Sequence, residues 1–294
     1  MSAAPLTGAA GTAAGLLTTL PAGRPEPGRR RRQAAAIFRL EVRRSLTGGR
    51  ALGLYLLALL PVLFYVLRAI FAGHVIDTAD VGQATQEFAG TYQAFILRLV
   101  VYLGCVEIFG NLIRREILDR SLHYYFLAPL RREILAATKY LAGLTVATIL
   151  FGLSTAVSFA LCYTPYAGVE RFLLHGPGLA HLAAYLGVTF LGCLGYGAVF
   201  FALGLFGRSP LVPAVAIFGW EWLNFLLPPV LKRISIVHYL ESLCPVPLSK
   251  GPLALLSDAP SPWLAIPGLL LVTAALLGFA AWKVRRMEVR YEDE

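Results

Sequence analysis

Charge is what this chain has least of. Only 15% of its 294 residues are Asp, Glu, Lys or Arg, while 57% are hydrophobic. A soluble domain usually carries about a quarter charged residues, so a single soluble domain of this length is excluded. Several chemical signatures are also missing. No Gly-x-x-x-x-Gly-Lys-[Ser/Thr] loop occurs, so no such loop can cradle the phosphates of a nucleotide. The four cysteines, Cys105, Cys162, Cys193 and Cys244, contain no Cys-x-x-Cys pair, which removes metal-finger and thioredoxin-like readings. Cys105 and Cys193 sit in apolar stretches as packing residues. Cys162 and Cys244 fall near one face and leave a disulfide open. His238 and Glu241, three apart among scattered histidines, are too little for a metal site. Neither a Ser-His-Asp arrangement nor the paired acids of a membrane lipid transferase are legible. Catalytic residues and metal ligands are therefore expected to be none.

What is present is a series of six long apolar segments: Ala51–Phe71, Tyr92–Ile113, Tyr140–Tyr163, Leu179–Phe206, Pro210–Val230 and Trp263–Trp282. About twenty apolar residues at about 1.5 Å rise match a hydrocarbon core of about 30 Å. Soluble helices of that length would show a polar face, and these do not. The pattern predicts an all-α membrane protein with six transmembrane helices.

The net charge of +9 is unevenly spread. Residues before Ala51 carry nine Lys/Arg against two acids, and Arg114–Lys139 carries six against three. The connection 72–91 carries no Lys or Arg, only Asp77, Asp80 and Glu87. That asymmetry is the positive-inside pattern. It places both termini and the 114–139 connection in the cytoplasm, and it favours orientation and membrane-lipid attraction over nucleic-acid binding. Connections 72–91, 164–178 and 231–261 then face outward, although Lys232, Arg233 and Lys250 run against the rule on the last.

Residues 1–32 are rich in Ala, Gly, Thr and Pro and end in Arg29–Arg32. The charge follows the apolar stretch, the reverse of a secretory signal, so a disordered cytoplasmic tail is expected. Gln33–Thr47 reads as an amphipathic helix with Phe38, Val42 and Leu46 on one stripe and Arg39, Arg43 and Arg44 elsewhere. Gly48-Gly49 ends it, and such a helix before a span is expected to lie in the membrane interface. In 114–139, Asp119 caps a short helix whose stripe is Leu118, Leu122, Tyr125 and Phe126, Pro129 breaks it, and a new helix starts at Leu130 and runs into the third span. This corner would present an apolar and aromatic knob, either to a partner or to lipid headgroups. Gly207-Arg208-Ser209-Pro210 leaves room only for a tight hairpin between spans four and five. Span four carries Gly187, Gly192, Gly195, Gly197 and Gly204, residues that let helices approach closely in lipid. The outer segment 231–261 mixes prolines with apolar pieces, and part of it is expected to dip back toward the outer leaflet. Residues 287–294 form a cytoplasmic tail.

Over residues 33–286 the chain resembles permeases of the type-2 exporter superfamily of ATP-binding-cassette transporters. The likeness is sharpest at Arg115-Glu116, Leu122, Leu127-Ala128-Pro129-Leu130-Arg131-Arg132-Glu133 and Lys139. It extends to the interface helix (33–48) and to the proline-rich outer segment, with Ile234-Ser235 and His238-Tyr239-Leu240-Glu241-Ser242. The resemblance implies a six-span permease subunit in a bacterial inner membrane, working as a dimer of identical or related chains. Nucleotide-binding ATPase subunits would be separate partners and would hold the ATP and Mg²⁺, with no cofactor on this chain. Glu116, Asp119, Leu122, Tyr125, Phe126, Pro129, Arg131 and Arg132 would then couple the ATPases to the spans.

Two acids fall inside spans: Glu221, flanked by Trp220 and Trp222 with Asn224 nearby, and Glu107. A charge in hydrocarbon costs about 2.5 kcal/mol or more, so such residues face a bundle interior or water. Glu221, Glu107 and Asn224 are pathway candidates, and an interhelical hydrogen bond is the other reading of the acids. Arg68 and Arg98 are expected to snorkel or to pair with Asp77, Asp80 or Glu87. Two rival functions stay open: a membrane-embedded lipid-processing enzyme, and a scaffold subunit of a membrane complex.

Overall fold

The computed structural model describes residues 27–49, 51–71, 81–112, 114, 132–166, 168–206, 211–223, 235–247 and 261–286. Among them every regular element is a helix: α1 (Pro27–Thr47), α2 (Ala51–Phe71), α3 (Val81–Asn111), α4 (Arg132–Tyr163), α5 (Val169–Leu174), α6 (Gly178–Gly204), α7 (Leu211–Trp222), α8 (Ile236–Ser242) and α9 (Pro262–Arg286). Five of them, α2, α3, α4, α6 and α9, are long and apolar enough to cross a membrane. The chain is an all-helical, multi-pass membrane protein. The segment expected as span five is described only over 211–223, where it forms the 12-residue α7.

Burial sorts the spans. The most apolar stretches of α3 and α6 are 61% buried, and those of α2 and α9 only 22%. Helices α3, α4 and α6 therefore form the centre; α2 flanks α4, and α9 flanks α4 and α6. On α2, Leu56, Leu59, Leu63 and Ile70 point away from the bundle, which in lipid carries no penalty. The buried face of α2 holds Leu54, Ala58, Pro61 and Tyr65. Pro61 removes one intrahelical hydrogen bond, and one turn away the Ser154 hydroxyl donates across to the Ala58 carbonyl. A neighbouring helix thus supplies polar company where proline disturbs the ladder.

Two helices start earlier than the sequence predicts, and a third starts close to its expected place. Helix α3 begins at 81 rather than 92, because Ala84, Phe88 and Ala89 are fully buried and carry the helix past Gln83, Gln86 and Glu87. Phe88 packs on Phe159 at 5.1 Å and on Tyr185 at 4.9 Å between ring centroids. Part of the expected outward connection 72–91 is therefore helical. Helix α4 begins at 132, within two residues of the start expected at Leu130. Helix α1 begins at Pro27, inside the expected tail, where the fixed φ of proline suits a first turn.

Glycines set the tightest contacts. A Cβ on Gly204 would stand 2.9 Å from the Gly110 carbonyl oxygen, and one on Gly197 would stand 2.7 Å from the Phe109 ring. Close approach of α6 to α3 at these points depends on the missing side chain. Gly187, in the same run, has nothing within 4 Å of such an atom, so it is not part of that seam.

Candidate functional site

Of the corner residues, Glu116, Asp119, Leu122, Tyr125, Phe126, Pro129 and Arg131 lie outside the described residues. Arg132 opens α4, and its side chain is not among those described. Asn224 also lies outside them. The candidates that the structure does place are Glu221 and Glu107, and it holds them in different surroundings.

Glu221 sits near the end of α7 and is 4% exposed. Its carboxyl oxygens accept the Ser235 hydroxyl at 2.6 Å and the backbone N–H groups of Ile236 at 3.1 Å and Val237 at 3.2 Å. Those are the free amides of the first turn of α8, with Ser235 in extended conformation at its N-cap position. Helix starts leave such amides unsatisfied, and they favour negative charge. Glu221 is thus an N-terminal cap delivered from another helix. The interhelical hydrogen-bond reading describes it, and the bond ties α7 to the segment before α9.

That segment, 235–247, is held from the other side by α3. Residues Tyr92–Val101 of α3 are π-helical, flanked by α-helical turns. In a π-helix each amide bonds five residues back, so residues five apart come close to one face. Gln93 and Arg98 are such a pair, and both reach the segment. The Gln93 amide donates to the Val246 carbonyl at 3.3 Å, and Arg98 forms an ion pair with Glu241. From the sequence, Arg98 is expected to snorkel or to pair with Asp77, Asp80 or Glu87. The structure instead pairs it, half-buried, with Glu241. Ile236, Val237 and Leu240 are buried, with Ile236 beside Gly195 and Leu240 beside Gly192 of α6. A short helix is therefore packed among long ones. The signal that could have located it is Ile-Val-x-x-Leu with an acid, Glu241, in the same turn.

At the opposite end, α1 docks along α4. Phe38, Val42 and Leu46 are half-buried, and Val42 and Leu46 pack against the core of the protein. The apolar stripe thus faces the helix bundle. Between these residues lies Glu41, overlooked in the sequence, which forms a buried ion pair with Lys139. Its position, three residues after Phe38 and one before Val42, puts it on the docking stripe and was the available signal. Removing one partner of such a pair leaves an uncompensated buried charge, at about 3–5 kcal/mol.

Beside this pair lies a pocket with three walls. Helix α1 contributes Glu41, Arg44 and Ser45, the start of α2 contributes Ala51 and Leu54, and α3 contributes Glu107, Ile108 and Asn111. Glu107 is half-buried. The Asn111 amide donates to the Glu107 backbone carbonyl at 2.9 Å, and among the described residues no side chain reaches the Glu107 carboxyl.

Two further ties close the ends of the bundle. Arg68 pairs with Glu87, as one of the expected options, and donates to the Tyr166 hydroxyl at 2.6 Å. Tyr166 in turn donates to Glu87 at 3.1 Å. Burial pushes the Tyr166 phenol above its ordinary pKa against the opposing pull of Arg68, so it stays a donor. At the α1 end, Arg285 of α9 pairs with Glu133 of α4; both are exposed, so the pair adds little. No disulfide joins Cys162 and Cys244. The first thiol donates to the Ala84 carbonyl and the second to the Leu240 carbonyl. Among the described residues no cluster of three metal-ligating side chains forms.

The fold and these ties define a helical membrane bundle with a docked entry helix and an inserted short helix. No family model, curated protein or solved structure matches the chain.

Proposed function

We propose that the chain is the membrane-spanning permease subunit of an ATP-driven exporter of the ATP-binding-cassette type. It works as a dimer of identical or related chains, in a bacterial inner membrane, with both termini cytoplasmic. Separate ATPase subunits bind ATP and Mg²⁺, and the corner from Glu116 to Arg132 receives their closure. The observation that carries this reading is the way the ends of 114–131 are anchored. The segment leaves the end of α3 and re-enters as α4, and α4 is locked within two turns to α1 by the buried pair Lys139–Glu41. A push on such a corner moves α4 and α1 together, which is what coupling to an external motor requires. Six spans are part of this proposal, with α7 as the described portion of the fifth.

The test is to purify the chain gently from its native membrane and identify what accompanies it. A stoichiometric nucleotide-binding subunit is expected, and it should be lost on Phe126→Asp or Arg131→Glu. Purification of the intact chain with no nucleotide-binding protein would contradict the proposal.

A further inference from the structure

The pocket beside α1 combines features that no role above uses. Its α3 wall carries the Glu107 carboxyl, with Asn111 one turn on; its α1 wall carries Arg44 and Ser45; its α2 floor is apolar, with Ala51 and Leu54. It is lined by the first turn of α2, an apolar helix long enough to cross a membrane, and the end of a span is where headgroups meet acyl chains. An acid beside a span calls for a positive partner, yet none of the described side chains contacts Glu107.

We propose that this pocket binds the headgroup of a zwitterionic phospholipid bearing a primary amine. The ammonium is held by Glu107 with the Asn111 side-chain oxygen as second acceptor. The phosphate lies toward Arg44 and Ser45, and the first part of the acyl chains lies against Leu54. Charge decides against the alternatives. A purely anionic headgroup would meet the Glu107 carboxylate, and a bare cation would meet Arg44. A quaternary ammonium is ordinarily held by aromatic faces, and none of the ten lining residues is aromatic. A primary ammonium carries three donors and suits carboxylate and amide oxygens. This inference rests on the membrane fold alone, so its outcome is independent of whether the chain belongs to an exporter.

The experiment is native mass spectrometry of the full chain released from vesicles of equimolar phosphatidylethanolamine, phosphatidylcholine and phosphatidylglycerol. Wild type is expected to retain phosphatidylethanolamine over the other two. Glu107→Gln is expected to lower that preference about tenfold, the size of one charge-assisted hydrogen bond. Arg44→Gln, at an exposed position, is expected to weaken it too, and it decides the matter should Glu107→Gln fail to fold. Equal retention of the three lipids, or an unchanged preference in both variants, would overturn the proposal. A soluble arm separates the sources: O-phosphoethanolamine should not raise the thermal midpoint, and stabilisation by it equal to that by the lipid would overturn the assignment to lipid.

Discussion

Glu221 shows how a single residue changes meaning once its neighbours are known. An acid between two tryptophans in an apolar run invites a role in transport, but its oxygens are occupied by Ser235 and two helix-start amides. Glu221→Ala would leave the buried amides of Ile236 and Val237 without this acceptor, at about 1–3 kcal/mol each before relaxation. It should lower the thermal midpoint in detergent well below that of Glu221→Gln, which keeps one acceptor. Equal midpoints for the two would remove the capping role. The Glu41–Lys139 pair makes a similar point. Lys139→Met alone should destabilise by about 3–5 kcal/mol, while the double change Glu41→Leu with Lys139→Met should recover most of it. Chemical unfolding of the four proteins in one detergent checks this, and additive losses would show the two residues to be uncoupled. Neither pairing was legible in the sequence, because each joins residues brought together only by tertiary packing. Glu221 and Ser235 are fourteen positions apart, on different elements. Glu41 and Lys139 are nearly a hundred apart.

At the scale of elements, the apolar runs were readable because lipid demands length and uniform hydropathy, and little else satisfies it. The run Ala51–Phe71 coincides with α2 to the residue. Where packing overrides hydropathy, reading fails: Val81–Thr91 is too polar to be called part of a span, and Phe88 fixes it in the aromatic core nonetheless. The π-helical stretch left no sequence signature, since its geometry answers to contacts of Gln93 and Arg98 with a distant segment. The glycines of α6 were legible as a group but not individually. Gly204→Ala should separate α6 from α3 and cost about 1–3 kcal/mol, whereas Gly187→Ala should be neutral or slightly stabilising through helix propensity. Thermal midpoints of the two variants read the difference, and a reversed order would place the α3–α6 seam elsewhere.

At the scale of the molecule, the parts describe a bundle fastened at both ends. One end is tied by Arg68, Glu87 and Tyr166, the other by Glu41 with Lys139 and by Glu133 with Arg285. The segment 235–247 is wedged between α3, α6 and α9 and capped from α7. In the proposed function, force enters at the corner between α3 and α4 and is passed through α4 to the helices tied to it. That requires the corner to lie on the cytoplasmic side, the charge pattern's strongest statement about orientation. The most direct measurement is labelling of Leu122→Cys with a membrane-impermeant maleimide. The variant is made in a Cys244→Ser background, since Cys244 is half-buried while Cys105, Cys162 and Cys193 are buried. Intact cells should leave Leu122→Cys unlabelled, and inside-out vesicles should label it fully. Labelling of Leu122→Cys from outside intact cells would contradict the cytoplasmic corner and, with it, the coupling of this bundle to an ATPase.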